Sequence, residues 1–128
     1  VSGLRQFEGV LTDKGSKYAV SGGPAASKAE AEALIKALCR RKRYAKATHN
    51  TWAVLLQDAQ GNRTPLKNDD GESGAGMVIL RMLEREGLTN HLVVVTRWYG
   101  GTKLGGDRFR HVQTCVRHYL DNAEPSHG

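Results

Sequence analysis

Three segments of this chain hold residue types able to do chemistry. The first is Asp69-Asp70-Gly71-Glu72, three carboxylates in four residues. Carboxylates so close together suit a hard divalent cation such as Mg²⁺ or Ca²⁺. With His49 brought alongside by the fold, such a set would serve a metal-assisted hydrolysis. The spacing is not that of a calcium-binding loop, however, and no further acid follows closely. Acids just before a helix also accept its unpaired N–H groups and complement its positive end. The structural use is the stronger reading, and no metal is assigned.

The second segment runs from Arg97 through Trp98, Tyr99, Gly100, Gly101, Lys103, Gly105, Gly106, Asp107, Arg108 and Phe109 to Arg110. Four glycines ahead of a helix, with Lys103, Arg108 and Arg110 nearby, have the make-up of an anion cradle built from backbone N–H groups. The spacing matches neither the nucleotide-binding P-loop nor the dinucleotide fingerprint. The competing reading gives the glycines to tight turns and puts Trp98 and Tyr99 in the core. Chemistry alone leaves the two level.

The third segment is basic. Lys36, Arg40, Arg41, Lys42, Arg43 and Lys46 fall within 11 residues with no acid among them, interrupted by Tyr44. One or two cations at a helix C-terminus stabilise it by about 0.3–1 kcal/mol. Six exceed that need and point to RNA, a ribosome or an acidic protein face; a merely solvated helix face is the alternative. The five histidines (His49, His91, His111, His118, His127) show no metal-ligand pattern. Ser21 and Ser73 lack the context of an activated nucleophile, and neither Cys39 nor Cys115 has an evident histidine partner. No catalytic group and no cofactor site is assembled.

These residues must be positioned by a chain of 128 residues, the length of one domain. The net charge of +6 favours acidic partners. With 39% hydrophobic and 6% aromatic residues, the core must come mainly from Leu, Val, Ile and Ala. Two distant cysteines without metal spacing read as buried free thiols of a reducing compartment. No apolar run has the length of a membrane span and no secretory signal is visible, so the cytoplasm is expected, with no membrane partner. The start at Val1 rather than Met is expected of a piece of something longer.

Periodicity supplies the elements. A strand is predicted near 17–21, with another before a turn at Lys14-Gly15 and an end at Gly22-Gly23-Pro24. Ser27 and Glu30 have capping-box spacing, and Ala31, Leu34, Ile35, Leu38 and Cys39 form one stripe of a helix running to about Lys42. Strands follow at 51–57 and 63–67, the latter at an edge because of Pro65. The acidic loop leads to a helix over Met77–Leu83 that stops at Gly87, with Leu88 as its hydrophobic contact. Leu92–Thr96 is apolar throughout and should be a central strand, covered on at least one face. Asp107 is the expected N-cap of a last helix whose inner face holds Phe109, Val112, Val116, Tyr119 and Leu120. Both termini are expected to fray, the last five residues, Glu124 to Gly128, included. The sum is an α+β two-layer sandwich.

In order and spacing, Ala47-Thr48-His49-Asn50-Thr51-Trp52-Ala53, Asn68-Asp69-Asp70-Gly71-Glu72 with Ala75-Gly76, Arg97-Trp98-Tyr99-Gly100-Gly101 and Leu104-Gly105 resemble the IMPACT family. The resemblance covers about residues 14–120. Ser73 after the acids and Asp107-Arg108-Phe109 before the last helix look like the eukaryotic branch. Gly106 stands where proline is common, a small departure. The resemblance implies the fold of the second domain of small-subunit ribosomal protein S-five, a four-stranded sheet with helices on one side. It implies the C-terminal domain of longer proteins that begin with an RWD domain, which is not among these residues. Such proteins restrain the starvation-activated kinase of initiation factor two alpha by competing for its ribosome-associated activator, and are associated with actin and ribosomes. A regulatory interaction domain is therefore the first functional reading, RNA or ribosome binding the second, and a metal-assisted hydrolase the last. The family supplies no catalytic residues.

Overall fold

The computed structural model describes residues 3–125. Val1 and the tail positions Ser126, His127 and Gly128 lie outside the described residues. Strands β1 (Arg5–Asp13) and β2 (Ser16–Pro24) form an antiparallel hairpin. Its two-residue turn places Lys14 at φ 49° and Gly15 at φ 82°, the left-handed pair that matches strand twist. The N-terminus is thus paired from Arg5 rather than frayed. β2 also continues through Gly22 and Gly23. The Tyr119 ring packs where a Gly22 side chain would stand, and the Gly3 backbone carbonyl where a Gly23 side chain would, so both are sheet positions shaped by close neighbours.

Helix α1 (Lys28–Cys39) starts as its capping box predicts. Ser27 Oγ accepts from Glu30 N at 3.1 Å, while Glu30 Oε1 accepts from Ala26 N at 2.8 Å, one residue ahead of the cap. It ends three residues before Lys42; the chain turns at Arg40 and Arg41 and makes the single-turn α2 (Lys42–Ala45). β3 (His49–Gln57) and β4 (Arg63–Asn68) pair antiparallel, with Pro65 on the edge strand as expected. α3 (Ala75–Glu86) closes with Leu88 N donating to Leu83 O. β5 (His91–Trp98) and α4 (Asp107–Ala123) complete the order.

The sheet has five strands, β1-β2-β5-β3-β4, every neighbouring pair antiparallel. The four-strand count implied by the resemblance is corrected to five, the strand before the Lys14-Gly15 turn being β1, a full member of the sheet. The expectation of helices on one side is also corrected. Val93 and Val95 of β5 pack with Ile79 and Leu83 of α3 and Val112, Val116 and Tyr119 of α4. Leu92 and Val94 pack with Ala31 and Leu38 of α1 and Tyr44 of α2 on the other face. Alternate side chains of a strand point to opposite faces, so an all-apolar β5 is what burial on both sides requires. Among the described residues no helix is long and apolar enough to cross a membrane.

Candidate functional site

The acid-rich loop and the glycine-rich loop meet at one end of the sheet. β3 carries His49, β5 carries Arg97, the loops leading into α3 and α4 bring Gly71, Glu72, Tyr99, Lys103 and Gly105, and the first turn of α4 brings Arg108 around a cleft of about 500 Å³. Sequence spacing alone did not place these two loops together.

Each carboxylate of the acidic loop has a structural partner. Asp69 accepts from Gly74 N at 3.0 Å and Gly76 N at 2.8 Å, satisfying the start of α3. Those bonds, led by the one from Gly74, hold its carboxyl below the usual range. Gly76 has no room for a side chain because the Asp69 carboxylate occupies that space. Asp70 Oδ2 accepts from Asn50 N at 2.7 Å, and the Asp70 carbonyl accepts from His49 Nδ1 at 2.8 Å. Thr51 Oγ1 donates to the Asp69 carbonyl at 2.8 Å, so three successive β3 residues clamp the loop. Among the described residues no group of three or more His, Cys, Asp or Glu is arranged to hold a metal ion.

Glu72 is turned inward and is 2% exposed. Arg97 Nη1 donates to both its oxygens at 3.1 Å, and Arg108 Nη1 reaches Oε1 at 3.3 Å. His49 Nε2 stands 3.9 Å from Oε2. Arg97 is itself buried, and its Nε has no hydrogen-bond partner among the described residues. Its Cζ lies 6.0 Å from the centre of the Tyr18 ring. Burial pushes the Tyr18 hydroxyl up to about 12, partly offset by the Arg97 charge.

The glycine-rich loop is pinned residue by residue. Trp98 Nε1 donates to Arg43 O at 2.9 Å, Tyr99 N to Thr48 Oγ1 at 2.9 Å, and Gly100 N to Ser16 Oγ at 3.1 Å. Gly100 lies so close to the Gly15 backbone that a Cβ would collide with it. Gly101 and Gly105 take positive φ and serve as turns. Trp98 is half-buried, whereas Tyr99 is 47% exposed, which goes against the competing reading that put both in the core. Asp107 is the first residue of α4 rather than its cap. Gly106 holds the cap position, and Asp107 pairs with Arg110 at 3.2 Å, one turn on. Phe109 is half-buried, its ring against Gly74, linking the two loops.

No residue of the basic tract lines this cleft, and the tract is not uniform. All six cations are exposed, but two of them have partners. Arg41 donates to Gln6 and sits over the Tyr44 ring, and Arg43 pairs with Glu8 at 3.3 Å and stacks 4.6 Å from the Trp98 ring centre. Tyr44 is fully buried and donates to Glu8 at 2.9 Å. Glu8, distant in sequence, supplies the acid that the tract lacks. Asn50 was quoted only as part of a motif, yet it joins β5 to α2, accepting from Thr96 Oγ1 at 2.8 Å and donating to Tyr44 O at 3.1 Å. Cys115 is buried, with its thiol pushed up to about 12 by burial, whereas Cys39 is only half-buried.

The Impact N-terminal domain family matches residues 14–120. Protein IMPACT of Homo sapiens is 36% identical over 112 residues, covering 86% of this chain and 35% of that protein. The Protein IMPACT homolog of Caenorhabditis elegans is 35% identical over 117 residues, covering 88% of this chain and 45% of that protein. A solved structure described as the two-domain translational regulator Yih1 aligns with TM-score 0.66 and 30% identity, over 96% of this chain and 48% of that one. A solved hypothetical protein aligns at TM-score 0.79 and 22% identity, over 94% of this chain and 58% of that one, a likeness of fold alone. The chain spans 35% of the human relative's length and 45% of the nematode one's. With the family match running from the first hairpin to the last helix, this chain belongs to the IMPACT family.

Proposed function

We propose that this chain is a binding module of translational control in the cytoplasm, acting through surface contacts rather than by turning over a substrate. The observation that carries the reading is the use made of the acidic loop: Asp69, Asp70 and Glu72 each hold local structure. None is left as a free base or as part of a ligand set among the described residues. The description of the solved relative as a translational regulator supports the same role. In a longer protein the domain would lie C-terminal to an RWD domain. The partner proposed is the ribosome-associated activator of the starvation-responsive initiation-factor kinase, held in competition with that kinase; actin is a further candidate.

RNA or ribosome contact is a second reading, favoured by the exposed cations of the tract, of which Lys36, Arg40, Lys42 and Lys46 form no ion pair among the described residues. Direct binding of the chain to purified activator, with and without nuclease-treated ribosomes, tests both. The control is Arg40→Glu with Lys42→Glu, since Arg41 and Arg43 have structural partners. Binding that survives nuclease supports the protein partner. Binding lost with nuclease and with the charge reversal supports RNA, with affinity falling at a log–log slope of roughly −0.7 per phosphate contacted. Binding to neither removes the proposal.

A further inference from the structure

In the cleft, two guanidinium groups share one buried carboxylate. The Arg97 and Glu72 side chains are 6% and 3% exposed, and that of Arg108 is a third exposed. Their formal sum is +1 in surroundings that solvate charge poorly, where an uncompensated charge is costly. The Arg97 Nε hydrogen is also buried without an acceptor among the described residues. Lys103 stands exposed on the cleft wall, with no ion pair among the described residues, and raises the surplus to +2. Asp107 and Arg110, just outside, satisfy each other.

The cleft also has an aromatic wall. The Tyr99 ring centre lies 5.7 Å from Arg97 Cζ, and Tyr99 is 47% exposed. It separates this cleft from a neighbouring one lined by Gly15, Lys17, Arg43 and Trp98. A volume of about 500 Å³ falls within the range of small-molecule sites. A phosphate monoester carries a charge of about −1.5 to −2 at neutral pH and three strong acceptor oxygens, which matches the surplus. A planar base meets the exposed Tyr99 ring by stacking, as single-stranded nucleic acids do on aromatic platforms.

We infer that this cleft is a binding site for a nucleotide, its 5′-phosphate held by Arg97, Arg108 and Lys103 and its base stacked on Tyr99. The nucleotide is either free or the 5′-terminal unit of an RNA strand. The site goes beyond the proposed partner-binding role and does not depend on it, because no residue of the basic tract lines the cleft.

Calorimetric titration of the 128-residue chain with AMP, adenosine, inorganic phosphate, short 5′-phosphorylated and 5′-hydroxyl RNAs, and a phosphoserine peptide tests it. Lys103→Glu and Tyr99→Ala alter exposed side chains, and unchanged melting profiles verify that both variants fold. Saturable AMP binding is expected, at least about tenfold tighter than adenosine, with about tenfold lost in Lys103→Glu. Tyr99→Ala should weaken AMP by about fivefold or more while leaving inorganic phosphate unchanged. AMP equal to the phosphorylated RNA identifies a free or terminal nucleotide; a much tighter phosphorylated RNA identifies the strand end. The inference is overturned if neither AMP nor phosphorylated RNA binds, or if adenosine or 5′-hydroxyl RNA binds as tightly as its phosphorylated counterpart. It is overturned equally if the phosphoserine peptide matches AMP, or if AMP binding ignores both substitutions. Arg40→Glu with Lys42→Glu should leave AMP binding intact, so failure of the partner-binding role and failure of this site are read separately.

Discussion

Glu72 holds two arginines drawn from 25 and 36 residues further along the chain. Removing one member of a buried ion network leaves the others charged and unpaired, at a cost of about 3–5 kcal/mol. Glu72→Ala is therefore expected to lower the urea midpoint sharply. Arg108→Ala, which removes the more exposed member, should cost far less. Equal effects would show that burial of Arg97 is not what makes the site sensitive. Asp69 gives a pH signature. Its carboxyl is held down in the folded state by the Gly74 and Gly76 N–H groups, so the unfolded chain takes up the proton more readily. The stabilisation is fully present above the ordinary carboxylate range and is lost as pH falls below that range through the lowered folded value. Asp69→Asn puts an NH2 donor where one carboxylate oxygen accepts, so it should flatten the acid limb of a stability–pH curve and cost about 1–2 kcal/mol at neutral pH. Asp58, also held low, by the Asn62 N–H, keeps part of the slope. Asp69's structural use was legible from its place before a helix. Glu72's role was not, because nothing local in the sequence names a partner that arrives through β5 and α4.

At the scale of elements, local signals read well and irregular ones did not. The Ser27–Glu30 pair fixed the start of α1 because both partners lie within one turn. β1 was harder to see. Its pairing with β2 shifts register between Phe7 and Leu11, around a Gly9 at φ 64°, so its apolar residues do not simply alternate. α2 is four residues long and carries no period at all. The glycine-rich loop is held by chain-distant contacts, chiefly Gly100 against the β1–β2 turn. Gly100→Ala should force that turn and the loop apart and lower the thermal midpoint by several degrees, since about 1 kcal/mol corresponds to a shift of ~4–8 °C in a small domain. Gly106→Ala, where nothing lies within 4 Å of an added Cβ, is the matched control and should change little. If the two variants melt alike, the close approach of loop and turn carries no stability.

For the whole molecule, composition and the apolar β5 pointed to an α+β sandwich with a mainly aliphatic core and β5 covered on at least one face; the sheet is covered on both. What periodicity could not convey is which helices take which face, or that β5 sits between β2 and β3. Strand order depends on contacts between residues far apart along the chain, and no window of sequence contains both partners.

That central place of β5 has a consequence for synthesis. The two hairpins, β1–β2 and β3–β4, are complete by Asn68, yet neither touches the other in the sheet until His91–Trp98 is inserted between them. A chain emerging from the ribosome therefore carries two separate hairpins with bare inner edges from the completion of Asn68 until Trp98 has been made. Exposed edges and late non-local pairing slow folding and invite association with other chains. The timetable of folding is set by the fifth strand, and everything N-terminal to it waits.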